Sequence, residues 1–236
     1  NINNIKISNF GANKIQNKIN LGNTVATSDE LNVYNSFTVT LDKGTGTSAG
    51  TTSITATYNS SVINPSTITL AEKKYTISGF TLGSTATGAS VSSTSTLTSS
   101  APLNGYYTAS SNGNKVLNAS TTASFAPSVS GYTDANGKWI KMSGATLYAQ
   151  FGTQPAKTLP TITKTGYTCG WATSSSATSI TYASGASVTP SANMTLYGVC
   201  TANSYTITYK LGNGTSTAGA TDIGTSTCTY GSSCTL

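Results

Sequence analysis

The sequence predicts an all-β chain, rich in hairpins and poor in helix, and three observations carry that prediction. Ser and Thr together make up about a third of the 236 residues, while only 8% are charged, against about 25% in an ordinary soluble domain. The branched Thr side chain suits a pleated, half-buried surface. Apolar residues recur at every second position in several stretches, the period of a strand with one buried face. Between these stretches stand Asn-Gly and Gly-rich turns, which supply the positive φ that a tight reversal requires.

Taken in order, residues 1–33 belong to no repeat. Ile5-Lys6-Ile7 alternates like a strand, whereas Ile15 and Ile19, with Lys14 and Lys18, suggest one or two helical turns. This segment is expected to be a linker or a strand donated to a neighbouring copy. Residues 34–151 form an enlarged first repeat region. It opens with the strand Phe37-Thr38-Val39-Thr40-Leu41 and the turn Asp42-Lys43-Gly44-Thr45-Gly46. Tyr75-Thr76-Ile77-Ser78-Gly79-Phe80 and Pro102-Leu103-Asn104-Gly105-Tyr106 each end a short strand in Gly plus an aromatic, and Thr146-Leu147-Tyr148-Ala149-Gln150-Phe151 closes the region. Asn112-Gly113 and Asn136-Gly137 are hairpin signals. The small, polar stretch 83–100 reads as an ordered, exposed strand on the strength of Val91, Thr94, Thr96 and Leu97.

Residues 152–201 repeat that order with Tyr167-Thr168-Cys169-Gly170-Trp171 and then Thr195-Leu196-Tyr197-Gly198-Val199-Cys200. Residues 202–236 start a third unit with Tyr205-Thr206-Ile207-Thr208-Tyr209-Lys210 and a turn at Asn213-Gly214, and end before a Gly-aromatic motif of their own. Short units must bury their aromatics against their own few strands and their neighbours. Phe80, Tyr106, Tyr148, Phe151, Tyr167, Trp171 and Tyr197 are the expected repeat core.

The succession Leu159-Pro160, Gly166-Tyr167-Thr168, Gly170-Trp171 and Thr195-Leu196-Tyr197 resembles the InlB B-repeat, also called the Listeria–Bacteroides repeat, of bacterial surface proteins. The resemblance is closest from Thr158 to Cys200 and looser from Tyr34 to Phe151, and it covers most of the chain after the first thirty or so residues. It implies tandem small β-grasp-like modules acting as surface modules, adhesins or spacers, with no catalytic residue to carry over.

Four cysteines allow three pairings, and their spacing does not choose among them. A single metal held by all four thiolates is the rival, against which stand the lack of any Cys-x-x-Cys and the long separation of Cys169 and Cys200 from Cys228 and Cys234. The resemblance implies a choice. Cys169 and Cys200 stand where the family carries an aromatic before Gly-Trp and a Trp at the end of the Leu-Tyr strand, so a disulfide is expected in place of an aromatic contact. Cys228 and Cys234 then bracket the turn Tyr230-Gly231-Ser232. Disulfides imply an oxidising compartment, and hence secretion.

Other chemistry is scarce. The net charge of +6 comes from twelve lysines, with neither arginine nor histidine in the chain. Histidine-based triads and His-bearing zinc sites are thereby excluded. The lysines are scattered, and no guanidinium offers a fork for phosphate, which argues against nucleic acid. The acids Asp29, Glu30, Asp42, Glu72, Asp134 and Asp222 suggest no facing pair of the kind glycoside hydrolysis needs. No run approaches the ~20 apolar residues of a membrane span.

The expected function is therefore a structural or adhesive module of a secreted bacterial cell-surface repeat protein, with no catalysis, cofactor or metal. The alternative is a self-assembling subunit of an extracellular filament or appendage, joined through strand edges. Expected partners are neighbouring repeats, copies of the chain itself, or a host or cell-surface ligand; nucleic acid and membrane insertion by this segment are not expected.

Overall fold

The alternation in Phe37–Leu41 becomes a strand, β1 (Ser36–Asp42), whose Val39 and Leu41 are buried while Thr38 and Thr40 face solvent. The same physics sets most of the remaining elements in this computed structural model, which describes residues 12–15, 18–21, 24–27, 31–210 and 222–234. The principal strands after β1 are β2 (Ser53–Thr57), β3 (Lys73–Leu82), β4 (Leu97–Ala101), β5 (Leu103–Tyr107), β6 (Lys115–Leu117) and β7 (Ala145–Phe151). They continue with β8 (Tyr167–Ala172), β9 (Tyr182–Ala183), β10 (Met194–Ala202), β11 (Ser204–Lys210) and β12 (Asp222–Thr229). Among the described residues helix is confined to one 3-10 turn at Ser84–Ala86.

The chain forms two compact units: Asn1–Lys74 with Ser100–Gln154, and Tyr75–Ser99 with Pro155–Leu236. In the first, the strand order is β6-β5-β7-β1-β2, extended by Ile63–Asn64. Its core gathers Val39, Leu41, Ile54, Tyr106, Leu117, Trp139 and Leu147, all at most 2% exposed. In the second, the order is β4-β3-β10-β8-β9, over a core of Ile77, Phe80, Leu159, Ile162, Trp171 and Leu196. Residues 75–99 thus group with the second unit and not with the rest of 34–151, because β3 pairs in parallel with β10.

Both sheets carry the same three-strand arrangement. In the first, β7 runs parallel to β1 (Val39 opposite Ala145, Leu41 opposite Leu147) and antiparallel to β5, with Tyr106 opposite Ala149. In the second, β10 runs parallel to β3 (Ile77 opposite Met194, Gly79 opposite Leu196) and antiparallel to β8, with Trp171 opposite Gly198. Aligning Thr146-Leu147-Tyr148 with Thr195-Leu196-Tyr197 therefore also aligns Tyr106 with Trp171 and Val39 with Ile77, without a gap.

Gly79-Phe80 does not share the place of the other two Gly-aromatic pairs. It lies on β3, at a register shift opposite Leu196 and Tyr197, where Gly79 and Phe80 have φ of 91° and 46°. Such a bulge re-aims a side chain, and here Phe80 ends 1% exposed, edge-on to Trp171 at 5.2 Å. A left-handed backbone at a non-glycine residue costs on the order of 1–3 kcal/mol, which burial of a whole ring offsets.

Two further expectations change. Around Ile15 and Ile19 the backbone is extended: Ala12–Ile15 pairs with Leu31–Tyr34, and Lys18–Leu21 with Thr24–Thr27. A spacing of four residues is even, so it fits a two-residue period as well as a helical turn, and Ile, Val and Thr favour the strand. The stretch 83–100 is not one strand but the 3-10 turn, the short Ser90–Val91 paired with Ile162–Thr163, and β4, with 92–96 exposed between them. Of the turns, Asn112-Gly113 joins β5 to β6 with positive φ at both residues, and Asp134 accepts from the Asn136 and Lys138 amides around Asn136-Gly137. Ile5-Lys6-Ile7 and Asn213-Gly214 lie outside the described residues.

Candidate functional site

Two of the acidic side chains, Asp42 and Asp134, serve turns. Asp42 accepts a hydrogen bond from the Gly44 amide at 2.7 Å, and Asp134 organises its own loop as above. Among the described residues no three His, Cys, Asp or Glu side chains come together as a metal site. No helix there is long and apolar enough to cross a membrane.

The chemistry-bearing side chains concentrate instead on β8 and β10. Cys169 and Cys200 stand directly opposite each other in the antiparallel register and form a disulfide, with Cα atoms 4.1 Å apart. Closing this 31-residue separation is worth about 3–4 kcal/mol in the chain-entropy account. Beside it Trp171 is fully buried, with Nε1 donating to the Pro160 carbonyl at 2.8 Å. The Ser174–Ser176 run that follows is exposed.

The next strands hang from this clasp. The Asn203 amide donates to the Gly166 carbonyl at 2.9 Å, and the Tyr230 amide donates to that of Asn203 at 2.8 Å. Thr168 Oγ1 and Asn203 Oδ1 lie 2.7 Å apart. The Tyr230 ring packs over Gly166 so closely that a Cβ there would overlap it, and it meets Tyr167 edge-on at 5.6 Å. Gly166, with φ of 77°, is therefore needed for both its backbone and its bareness. Cys228 and Cys234 form the second disulfide across this turn.

Next to it, Gly88, Ser90, Ile162, Thr163, Lys164 and Tyr167 line a cleft of ≈ 440 Å³. Lys164 Nζ sits 4.0 Å from the Tyr167 ring centroid, a cation–π contact that occupies one of the faces on which a sugar or base would stack. Among the described residues that line it there is no carboxylate.

Of the aromatics expected in the core, Phe80, Tyr106 and Trp171 are buried, whereas Tyr148, Phe151, Tyr167 and Tyr197 are only half-buried. In Thr-Leu-Tyr the fully buried residue is the leucine, Leu147 and Leu196 at 0% exposure; strand alternation sends the tyrosine to the other face. Tyr106 Oη accepts from the Ala71 amide at 2.9 Å, and burial pushes its phenol above the ordinary value, a shift this hydrogen bond partly opposes. Trp139, the other buried indole, has no hydrogen-bond partner for Nε1 among the described residues.

Sequence reasoning missed the role of Tyr75–Phe80 as the strand parallel to β10. The available signal was the alternation of Tyr75-Thr76-Ile77-Ser78, which matches Phe37–Thr40 position by position. It also missed Tyr230 on Gly166, a contact that no local pattern announces. No protein family, curated protein or solved structure matches the chain.

Proposed function

We propose that this chain is a structural or adhesive module of a secreted bacterial cell-surface protein, non-catalytic, and built from β-grasp-like repeats of the InlB B-repeat kind. The observation that carries this reading is the shared register: β1, β5 and β7 stand to one another as β3, β8 and β10 do, with Tyr106 and Trp171 at equivalent places. Two unrelated sheets have no physical reason to match in strand direction, pairing and residue type at once. Two intramolecular disulfides are compatible with an oxidising compartment, and Asp42 and Asp134 act in turns, which suits a scaffold more than a catalyst.

Protease shaving of intact source cells tests the location, and the expected result is release of peptides from this chain with both disulfides intact. Purified protein should stay at background against glycan, peptide and ester substrates. Recovery only from the cytoplasm with four free thiols, or turnover abolished by one point mutation, would sink the reading.

A filament subunit is the second reading, favoured by the uncovered strands β11 and β12, where Tyr205 is 51% and Ile207 37% exposed. Light scattering separates the two: a monomer supports the module, long polymers the filament.

A further inference from the structure

We infer that the outer face of the first unit's sheet is a binding platform for an uncharged polysaccharide chain, laid across the strands over Tyr148 and Tyr107. This rests on the adhesive reading above and deepens it by naming the class of ligand.

The strand registers put four side chains in one row. Asp42 on β1 lies opposite Tyr148 on β7, Tyr148 opposite Tyr107 on β5, and Tyr107 opposite Lys115 on β6. Their chain neighbours Leu41, Leu147 and Tyr106 belong to the core, so alternation turns the row to the other face. Three strand spacings separate its ends, about 14 Å at about 4.8 Å each. The same face continues in hydroxyls. Thr38, Thr40, Ser53 and Thr146 are exposed there, with Thr40 opposite both Ser53 and Thr146.

Both ends of the row are held. Asp42 accepts from the Gly44 amide at 2.7 Å, which uses one of the about four acceptor positions of a carboxylate. A Cβ at Gly105 would meet Lys115 Cδ at 2.7 Å, so the lysine stem lies along the bare Gly105 beside Tyr107. Gln150, next to Tyr148 on this face, donates from Nε2 to the Ala109 and Asn112 carbonyls at 2.8 and 2.6 Å and draws the β5–β6 loop to it. Tyr107 and Tyr148 lie outside the core and are half-buried, so each keeps part of its surface in solvent.

The fold itself does not require this row. In the second sheet Tyr197 takes the place of Tyr148, but its register partners are Thr81 and Ala172. That outer face is covered: Ala172 and Val199 are 1% exposed, and Ile180 packs on Gly170 so closely that a Cβ there would overlap it. A second tyrosine and a charge at either end are thus additions of the first unit.

Their chemistry selects the occupant. Tyrosine rings offer rigid, amphipathic area to the apolar faces of sugar rings. Hydroxyls, a carboxylate and an ammonium exchange hydrogen bonds with sugar hydroxyls. The single carboxylate and the single ammonium cancel, so the row complements an uncharged chain. A nucleic acid or acidic polymer would call for clustered cations.

The test presents the full chain, disulfides intact, to immobilised oligosaccharides of glucose, mannose, galactose and N-acetylglucosamine, with polygalacturonate and heparin as acidic probes. The expected result is saturable binding to at least one uncharged probe, with amide shifts at Asp42, Tyr107 and Tyr148. Tyr107→Ala and Tyr148→Ala should each weaken it about tenfold or more, as truncation of a tyrosine anchor does. Tyr148→Phe should retain it, which separates a lost ring from a lost fold, and Tyr197→Ala should leave it unchanged.

Binding to the acidic probes alone, binding unmoved by both alanine variants, shifts confined to the second unit, or no binding to any uncharged probe would each overturn the inference. If no uncharged probe binds while shaved cells still release this chain, the surface-module reading stands and the platform alone falls.

Discussion

The strands β1 and β11 share one sequence pattern, and their hairpins with β2 and β12 meet opposite fates. Val39, Leu41, Ile54 and Ala56 are between 0% and 2% exposed, whereas Tyr205 and Ile207 remain 51% and 37% exposed. Alternation fixes which face of a strand is apolar. What buries that face is a third strand, β7, together with core residues such as Tyr106 and Trp139. An isolated two-stranded hairpin is marginal in water, and β11–β12 has in its favour the Cys228–Cys234 disulfide, the packing of Tyr230 on Gly166, and a hydrogen bond between Tyr209 Oη and Ser226 Oγ at 2.6 Å.

The largest expected effect tests the covered side. Trp171→Ala should destabilise the second unit by about 3–5 kcal/mol, the usual cost of truncating a core aromatic, seen as an early transition in chemical unfolding. An unmoved transition would mean that the alignment of Trp171 with Tyr106 has no energetic content.

Leu41→Ala against Ile207→Ala compares the hairpins directly. The first should cost about 2–5 kcal/mol and the second about 0.5 kcal/mol or less, as for an exposed site. Similar losses at both positions would show that β11 is covered in solution.

Replacing Cys228 and Cys234 together by Ser should weaken only the uncovered hairpin, by about 2 kcal/mol for so short a loop. Amide exchange in Ser204–Lys210 is the measurement, and a change in the first unit's exchange would contradict it.

The last test concerns Tyr106, which lies in the core that covers β1–β2. Tyr106→Phe leaves the Ala71 amide without its acceptor and should cost about 1–3 kcal/mol. The phenol's raised pKa has a pH signature. A group protonated more firmly in the folded than in the unfolded state gives stability that is complete below the unfolded value, about 10 for tyrosine, and lost as pH climbs towards the folded one. The first unit should therefore weaken above about pH 10, and less steeply in the Phe variant. Identical alkaline profiles would remove Tyr106 as the cause.

Much of this fold was legible in the residues. The strands at Phe37–Leu41 and Tyr205–Lys210 are written in local alternation, whereas the pairing of Cys169 with Cys200 was implied only by the resemblance, which sets both at aromatic positions of one repeat. What escaped reading is non-local. Nothing near Ile77 says that its neighbour is Met194, because parallel pairing is set by the fold and not by adjacent residues. Gly79-Phe80 looked like the other Gly-aromatic pairs because a bulge and an ordinary strand position carry the same dipeptide. Tyr148 and Tyr197 drew attention by size, although strict alternation favours Leu147 and Leu196. Ile15 and Ile19 show that a spacing of four cannot alone separate helix from strand.

The interleaving of the units has a consequence for how the chain is made. Ser78 and Met194 are 116 residues apart in sequence, so at about 5–20 residues per second β3 emerges on the order of ten seconds before the strand it will pair with. The first unit, whose last residues are Ser100–Gln154, has all its parts during that wait, while β3 lacks β10. A truncated chain that stops after Gln154 is expected to hold a finished first unit and a strand with no sheet. A fragment that starts at Pro155 is expected to hold a sheet whose parallel strand was left behind.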